Sequence, residues 1–238
     1  MLDASAPSPL LGRPPGRLRA AAGKLLAAGY ALSGKRRYDD FRLERVLGMP
    51  IVVMPSVANP KLLRTGAFFA SQVDRRTIRP DSAVLDLGTG SGVCALAAAR
   101  IARRVVAADI NPAAVRCAAA NALLNGLEQH IDLRHGDLFA PVTGERFDLV
   151  LFNPPFLEGV PRDDRDAAWR SPDAAPRFAA GLDDHLAPGG VALVLLSSFG
   201  DACPRFEAEL RARGFRLTPF ARRRFINETL TIVHVARP

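Results

Sequence analysis

Val84-Leu85-Asp86-Leu87-Gly88-Thr89-Gly90-Ser91-Gly92 decides the fold. An apolar run ends in an acid, a glycine-rich turn follows, and an alanine-rich helical pattern runs from Val93 to Arg103. Strand, tight loop and helix in that order open a nucleotide-binding α/β unit. Gly88 and Gly90 let the backbone take strained angles and come close to a ligand. Gly92 has no Cβ to obstruct the helix from packing on the strand. A lone Gly-x-Gly-x-Gly run is a weak signal, but a second apolar strand, Val105 to Ala108, follows it. That strand ends in Asp109, about twenty residues on, where an acid reaches a ribose in such folds.

Two more strand ends complete the pattern. Ile131 to Arg134 is followed by Gly136-Asp137-Leu138-Phe139, and Phe147 to Phe152 by Asn153-Pro154-Pro155-Phe156. Strands alternating with helices at Val93–Arg103 and Pro112–Asn125 imply a parallel, doubly wound sheet. Right-handed crossovers bring every strand's C-terminal end to one edge, where ligands bind. Gly88, Asp109, Asp137 and Asn153 therefore converge on one cleft.

This series resembles the class I S-adenosylmethionine (SAM) methyltransferases over roughly Gly48 to the C-terminus. Asn-Pro-Pro-Phe narrows the resemblance to N-methyltransferases with an (Asn/Asp/Ser)-Pro-Pro-(Tyr/Phe) motif, the HemK-like group. It implies a Rossmann-like, doubly wound, mainly parallel seven-stranded sheet closed by an antiparallel C-terminal hairpin. It also divides the chain into a basic arm with short helices, 1–48, and a methyltransferase domain, 49–238.

The chain of 238 residues is long enough for one sizeable core. No apolar run reaches the length of about 20 residues that a membrane helix needs. Three cysteines without a Cys-x-x-Cys pair, and four histidines apart from them, predict no metal site and fit a reducing, cytoplasmic setting. Cys94 and Cys117 fall on predicted core-facing helices. A net charge of +8 favours an acidic partner such as nucleic acid or the ribosome, or is solvated arginine surface. The sequence leaves the oligomeric state open.

Before the core, Met1 to Pro15 is too rich in proline and small residues to bury much surface. The spacing of Leu18, Ala21, Leu25 and Ala28 predicts a short basic helix over 17–32. That helix contacts a phosphate backbone or an acidic protein, lies across the domain with its charges in solvent, or belongs to a transit peptide. Tyr38 to Leu47 reads as another helical piece. Pro50 to Pro55 is a proline-bounded strand, and Leu62 to Val73 the first core helix. HemK-type enzymes carry a Pro-Arg-Pro-Glu-Thr segment that closes over the cofactor. Here the chain has Pro60-Lys61-Leu62-Leu63-Arg64-Thr65, so only Thr65 inherits that role.

After the core strands, the charged loop Leu157 to Asp173 is long enough to carry substrate contacts or act as a lid. Trp169 either stacks on a planar substrate or anchors the loop. Helices are expected over 174–186 and 201–214, a turn at Pro188-Gly189-Gly190, a buried strand over 191–196, and a closing hairpin of 215–220 with 229–235. Arg222, Arg223 and Arg224 form its basic turn, solvated or facing an acidic substrate.

The resemblance assigns roles. Backbone amides of Gly88, Thr89, Gly90 and Gly92, with the helix dipole behind them, receive the cofactor carboxylate. Asp86 accepts from the methionyl amine or caps the loop. Asp109 accepts from the ribose hydroxyls, and Ile110 lies on the adenine. Asp137, beside Leu138, accepts from the adenine amino group. Asn153, with the backbone oxygen of Pro154, accepts both N–H groups of a planar target nitrogen and so orients its lone pair. Pro155 stiffens the loop and Phe156 flanks the flat target. The expected acceptor is a protein glutamine amide, in a translation factor or ribosomal protein. The alternatives are an RNA or DNA base, a biosynthetic small molecule, and a SAM-binding subunit without catalysis. S-adenosyl-L-homocysteine is the expected product.

Overall fold

The computed structural model describes residues 10, 40–163 and 166–238. The proline-rich start and the basic helix expected over 17–32 lie outside the described residues. The first element is a hairpin of β1 (Arg42–Val46) and β2 (Met49–Val53). This corrects the helix expected over 38–47. Leu47 (φ 50°) and Gly48 (φ 79°) make a two-residue turn with both φ positive, the geometry that suits tight antiparallel hairpins. Apolar Met49, Ile51 and Val53 on one face of β2 are buried, while β1 is largely exposed and so carries no amphipathic signal of its own.

The expected seven-stranded sheet is present, in the order β10-β11-β9-β6-β3-β4-β5. Its parallel part is β3 (Ala83–Leu87), β4 (Arg104–Asp109), β5 (Ile131–His135), β6 (Phe147–Phe152) and β9 (Leu186–Ser197). β11 (Thr229–Ala236) runs antiparallel to β9, and β10 (Arg216–Arg224) antiparallel to β11. Arg222, Arg223 and Arg224 are therefore paired strand residues opposite Thr229–Thr231 and not a turn. Pro188-Gly189-Gly190 is an irregularity inside β9, where the register against β6 jumps between Phe147 and Leu149.

Helices cover both faces. α1 (Thr65–Ala70), α2 (Val93–Ala99) and α3 (Pro112–Leu124) share one apolar cluster with β2. α4 (Ala174–His185) and α5 (Cys203–Ala212) build the other. The helix expected over 62–73 shortens to Thr65–Ala70, because Arg64 takes a left-handed conformation (φ 64°) before it. Cys94, Cys117 and Cys203 are all buried, as small apolar fillers. Asn121, fully buried, clips the hairpin to the fold: it accepts from Val52 N (2.7 Å) and donates to Val52 O (2.7 Å) and Ser91 O (2.9 Å). Among the described residues no helix is long and apolar enough to cross a membrane.

Candidate active site

Strand order turns around between β3 and β6, since β3 leads outward to β4 and β5 while β6 leads to β9 and β11. A crevice forms outside the C-terminal ends of strands at such a point. A cavity of about 290 Å³ lies there. Of the residues expected at the site, Gly88, Gly90, Asp109, Ile110, Asp137, Leu138, Asn153 and Pro155 line it. Asp86, Thr89, Gly92, Thr65, Pro154 and Phe156 do not line it.

The glycine turn is laced to the next strand. Thr89 N donates to Ala108 O (3.0 Å) and Gly90 N to Asp109 Oδ2 (2.8 Å). Gly88 (φ 62°) and Gly90 (φ 56°) take left-handed angles. A Cβ on either would meet nothing nearer than 3.8 Å, so the space over the turn is open to a ligand. Gly92 has a different task from the one expected. A Cβ there would meet Ala118 Cβ at 3.0 Å and Ala118 Cα at 3.1 Å, so this glycine lets α2 approach α3 rather than the strand.

Two carboxylates sit behind the turn. Asp86 accepts from Thr89 Oγ1 (2.7 Å) and Ala95 N (3.0 Å), both on Oδ2. Its Oδ1 takes no hydrogen bond among the described residues. Burial pushes the Asp86 carboxyl up to about 7, the two donors pull the other way, and nearby Asp109 adds to the rise. Asp109 is also raised by burial, against the N–H groups of Asn111 and Gly90. Gly90 N donates to Oδ2 and Asn111 N to Oδ1 (2.9 Å), and the Ile110 N–H also faces the carboxylate, whose remaining lone-pair capacity is open to a ligand hydroxyl. Ile110 is 52% exposed, an apolar side chain standing at the cavity without a protein cover.

Asn153 holds the most telling atom. Its Oδ1 is buried and has no hydrogen-bond partner. A buried amide oxygen left unpaired costs about 1–3 kcal/mol, so such an atom in a cavity wall calls for a donor from a ligand. Phe156 is part-buried and packs against both apolar clusters, and its carbonyl accepts from Ala202 N (3.0 Å). It braces the loop and does not face the cavity.

The charged loop forms the outer wall. β7 (Leu157–Glu158) pairs in parallel with β8 (Arg170–Ser171), and Pro161, Ala167, Ala168 and Arg170 line the cavity. Asp166 is its hub: Arg162 donates from Nε (3.1 Å), Nη2 (3.2 Å) and the backbone (3.1 Å), and Arg170 Nε lies at 3.6 Å. Arg162 holds the Asp166 carboxyl below its ordinary value. Trp169 is part-buried and outside the cavity lining, and its carbonyl accepts from Leu157 N (2.8 Å).

Sequence reasoning missed Asn111, Arg177 and Ser56 in the lining. Asn111 caps α3 (Oδ1 from Ala113 N, 2.8 Å) and donates to Ser56 O (3.1 Å). An Asn directly before a helix-starting Pro is a capping signal that pointed to it. Arg177 pairs with Asp137 (2.6 Å) across forty residues, and no local pattern announces it.

The methyltransferase small domain family model matches residues 60–212. A putative protein N5-glutamine methyltransferase of Methanocaldococcus jannaschii is 34% identical over 164 residues, covering 65% of this chain and 81% of that protein. The release factor glutamine methyltransferase of Moorella thermoacetica is 34% identical over 194 residues, 74% of this chain and 65% of its own length. Among solved structures, the ribosomal protein L11 methylase of Lactobacillus delbrueckii subsp. bulgaricus superposes with a TM-score of 0.56 at 25% identity, covering 76% of this chain and 82% of that one.

Proposed function

The chain belongs to the methyltransferase small domain family and is a SAM-dependent methyltransferase, and we propose that it methylates the side-chain amide nitrogen of a glutamine in a protein of the translation machinery. The observation that carries this reading is the unpaired, buried Oδ1 of Asn153 at the end of β6. Two relatives named as glutamine methyltransferases, with acceptors in release factors or proteins, agree with it.

The residues present fit the cofactor. The open backbone over Gly88 and Gly90 suits its carboxylate, Asp109 its ribose, and Ile110 with Asp137 its adenine, while Asp86 braces the turn from behind through Thr89 and Ala95. Bound SAM supplies an electrophilic methyl group on a sulfonium and is left as S-adenosyl-L-homocysteine. Asn153 Oδ1 and the carbonyl of Pro154 accept the two N–H groups of the acceptor amide. That fixes the nitrogen's plane and supports its pyramidalisation as the N–C bond forms and the C–S bond breaks. Such positioning and preorganised dipoles supply most of the rate. The proton leaves the nitrogen afterwards, so no strong base is needed beside it. Thr65 is buried at the start of α1 and lies outside the cavity lining.

An RNA base is the second reading, favoured by the charge: 1–39 holds seven basic and two acidic residues, five of the net +8. The two arginines that line the cavity, Arg170 and Arg177, are both paired with acids, which favours the protein acceptor. Radiolabelled SAM with cell extract, split into protease-treated and nuclease-treated halves, separates the two. Label lost to protease, and mapped by mass spectrometry to an N5-methylglutamine, supports the proposal. Label lost to nuclease, with binding that falls steeply as salt rises, hands the function to RNA.

A further inference from the structure

Four observations meet at the adenine end of the cavity, and this inference rests on the adenine role proposed for Asp137. Arg177 Nη2 donates to Asp137 Oδ2 (2.6 Å), and both residues line the cavity. Asp137 Oδ1 takes no hydrogen bond among the described residues. The next residue, Leu138, is held at φ 46°, a left-handed angle that a branched side chain adopts only where its surroundings enforce it. The enforcement comes from α4. Phe139 stacks on His185 (4.4 Å) and Phe178 (5.7 Å), and it sits over Gly181, where a Cβ would come within 2.6 Å of its ring.

Arg177 and Gly181 are four residues apart on α4 and so share one face of it. Seating Phe139 on Gly181 thereby brings Asp137, two residues earlier, against Arg177. The same guanidinium also reaches Asp173 at the end of the charged loop (3.6 Å). The helix, the loop after β5 and the charged loop are joined through one side chain.

We propose that Arg177 is the positioning residue for recognition of the cofactor's purine: it holds one oxygen of Asp137 so that the other faces the 6-amino group. Arg177 itself does not touch the reacting atoms. The specificity that follows is for 6-aminopurine over 6-oxopurine, because an oxo group would present an acceptor to a fixed acceptor.

The test is calorimetric binding of S-adenosyl-L-homocysteine and its deaminated analogue S-inosyl-L-homocysteine to the full chain and to Arg177→Ala and Arg177→Lys. The unmodified protein should prefer the adenosyl ligand by at least about tenfold, the scale of a hydrogen bond to a charged group. Arg177→Ala should weaken the adenosyl ligand roughly three- to fivefold, as for a half-exposed pair, and leave the inosyl ligand unchanged. Arg177→Lys, charged but without the planar fork, should fall between the two. Equal weakening of both ligands makes Arg177 merely structural and overturns the proposal, as does unchanged discrimination in Arg177→Ala. A protein that does not discriminate even before substitution refutes the adenine role of Asp137 itself. Melting temperatures within a few degrees of the unmodified protein confirm that each variant is folded.

Discussion

The inner wall of the cavity, Gly88 to Gly90 with Asp109, is held by backbone N–H groups donating to a buried carboxylate. The outer wall, residues 161–163 and 166–171, is held by guanidiniums around Asp166. The first arrangement is short, local and shielded from water. The second uses long side chains, one of them (Arg162) 83% exposed. Buried charge-assisted bonds resist salt, whereas exposed ion pairs contribute little and are screened. One wall is thus suited to gripping a cofactor, and the other to opening for an acceptor.

The largest effect should come where the two walls meet. Asn153→Ala is expected to lower turnover by about 100- to 1,000-fold, as for loss of one preorganised transition-state group. Its SAM affinity in calorimetry should stay nearly that of the unmodified protein. Turnover within a few-fold of normal would remove Asn153 from catalysis. Next, Asp109→Ala should weaken SAM binding by about 10- to 100-fold, since two bonds to a charged acceptor are lost. An unchanged affinity would place the ribose elsewhere.

A third measurement concerns the depth of the inner wall. The folded-state value of Asp86 is raised by burial from 3.8 to about 7. Between these values the folded protein holds a proton that the unfolded chain has lost, so stability falls as pH rises through that window and levels above it. Melting temperature should therefore decline between pH 4 and pH 7 more in the unmodified protein than in Asp86→Asn. Parallel profiles would mean that Asp86 is not desolvated. The smallest effect belongs to the outer wall. Asp166→Ala should speed hydrogen exchange over 157–171 and raise the acceptor KM a few-fold, with SAM affinity little altered. If instead SAM affinity collapses, the two walls are not separable.

The same contrast explains what was legible in the sequence. Strand, polar residue and turn are contiguous at Leu85–Gly90 and at Val150–Pro155, and parallel topology alone gathers those strand ends. The unread features depend on contacts between distant residues. β1 is a strand because β2 pairs with it, and Gly92 is a glycine because Ala118 of another helix approaches it. Asp166 becomes a hub only once the loop is folded, and Arg177 finds Asp137 only once α4 lies on Phe139. Phe156 carries a task its motif does not announce: it packs against both apolar clusters and so braces the fold.

The seat of Phe139 on Gly181 has a consequence for altering this protein. The ring and the missing side chain are complementary in size, so neither position can be changed alone without moving α4 against the loop that follows β5. An alanine at 181 would require a smaller residue at 139, and the effects of the two changes should be strongly non-additive. Because neither residue lines the cavity, the pair acts as a remote tuner: under the adenine role proposed for Asp137, repacking it should shift how long the spent cofactor stays bound without altering any group that meets the transferred methyl.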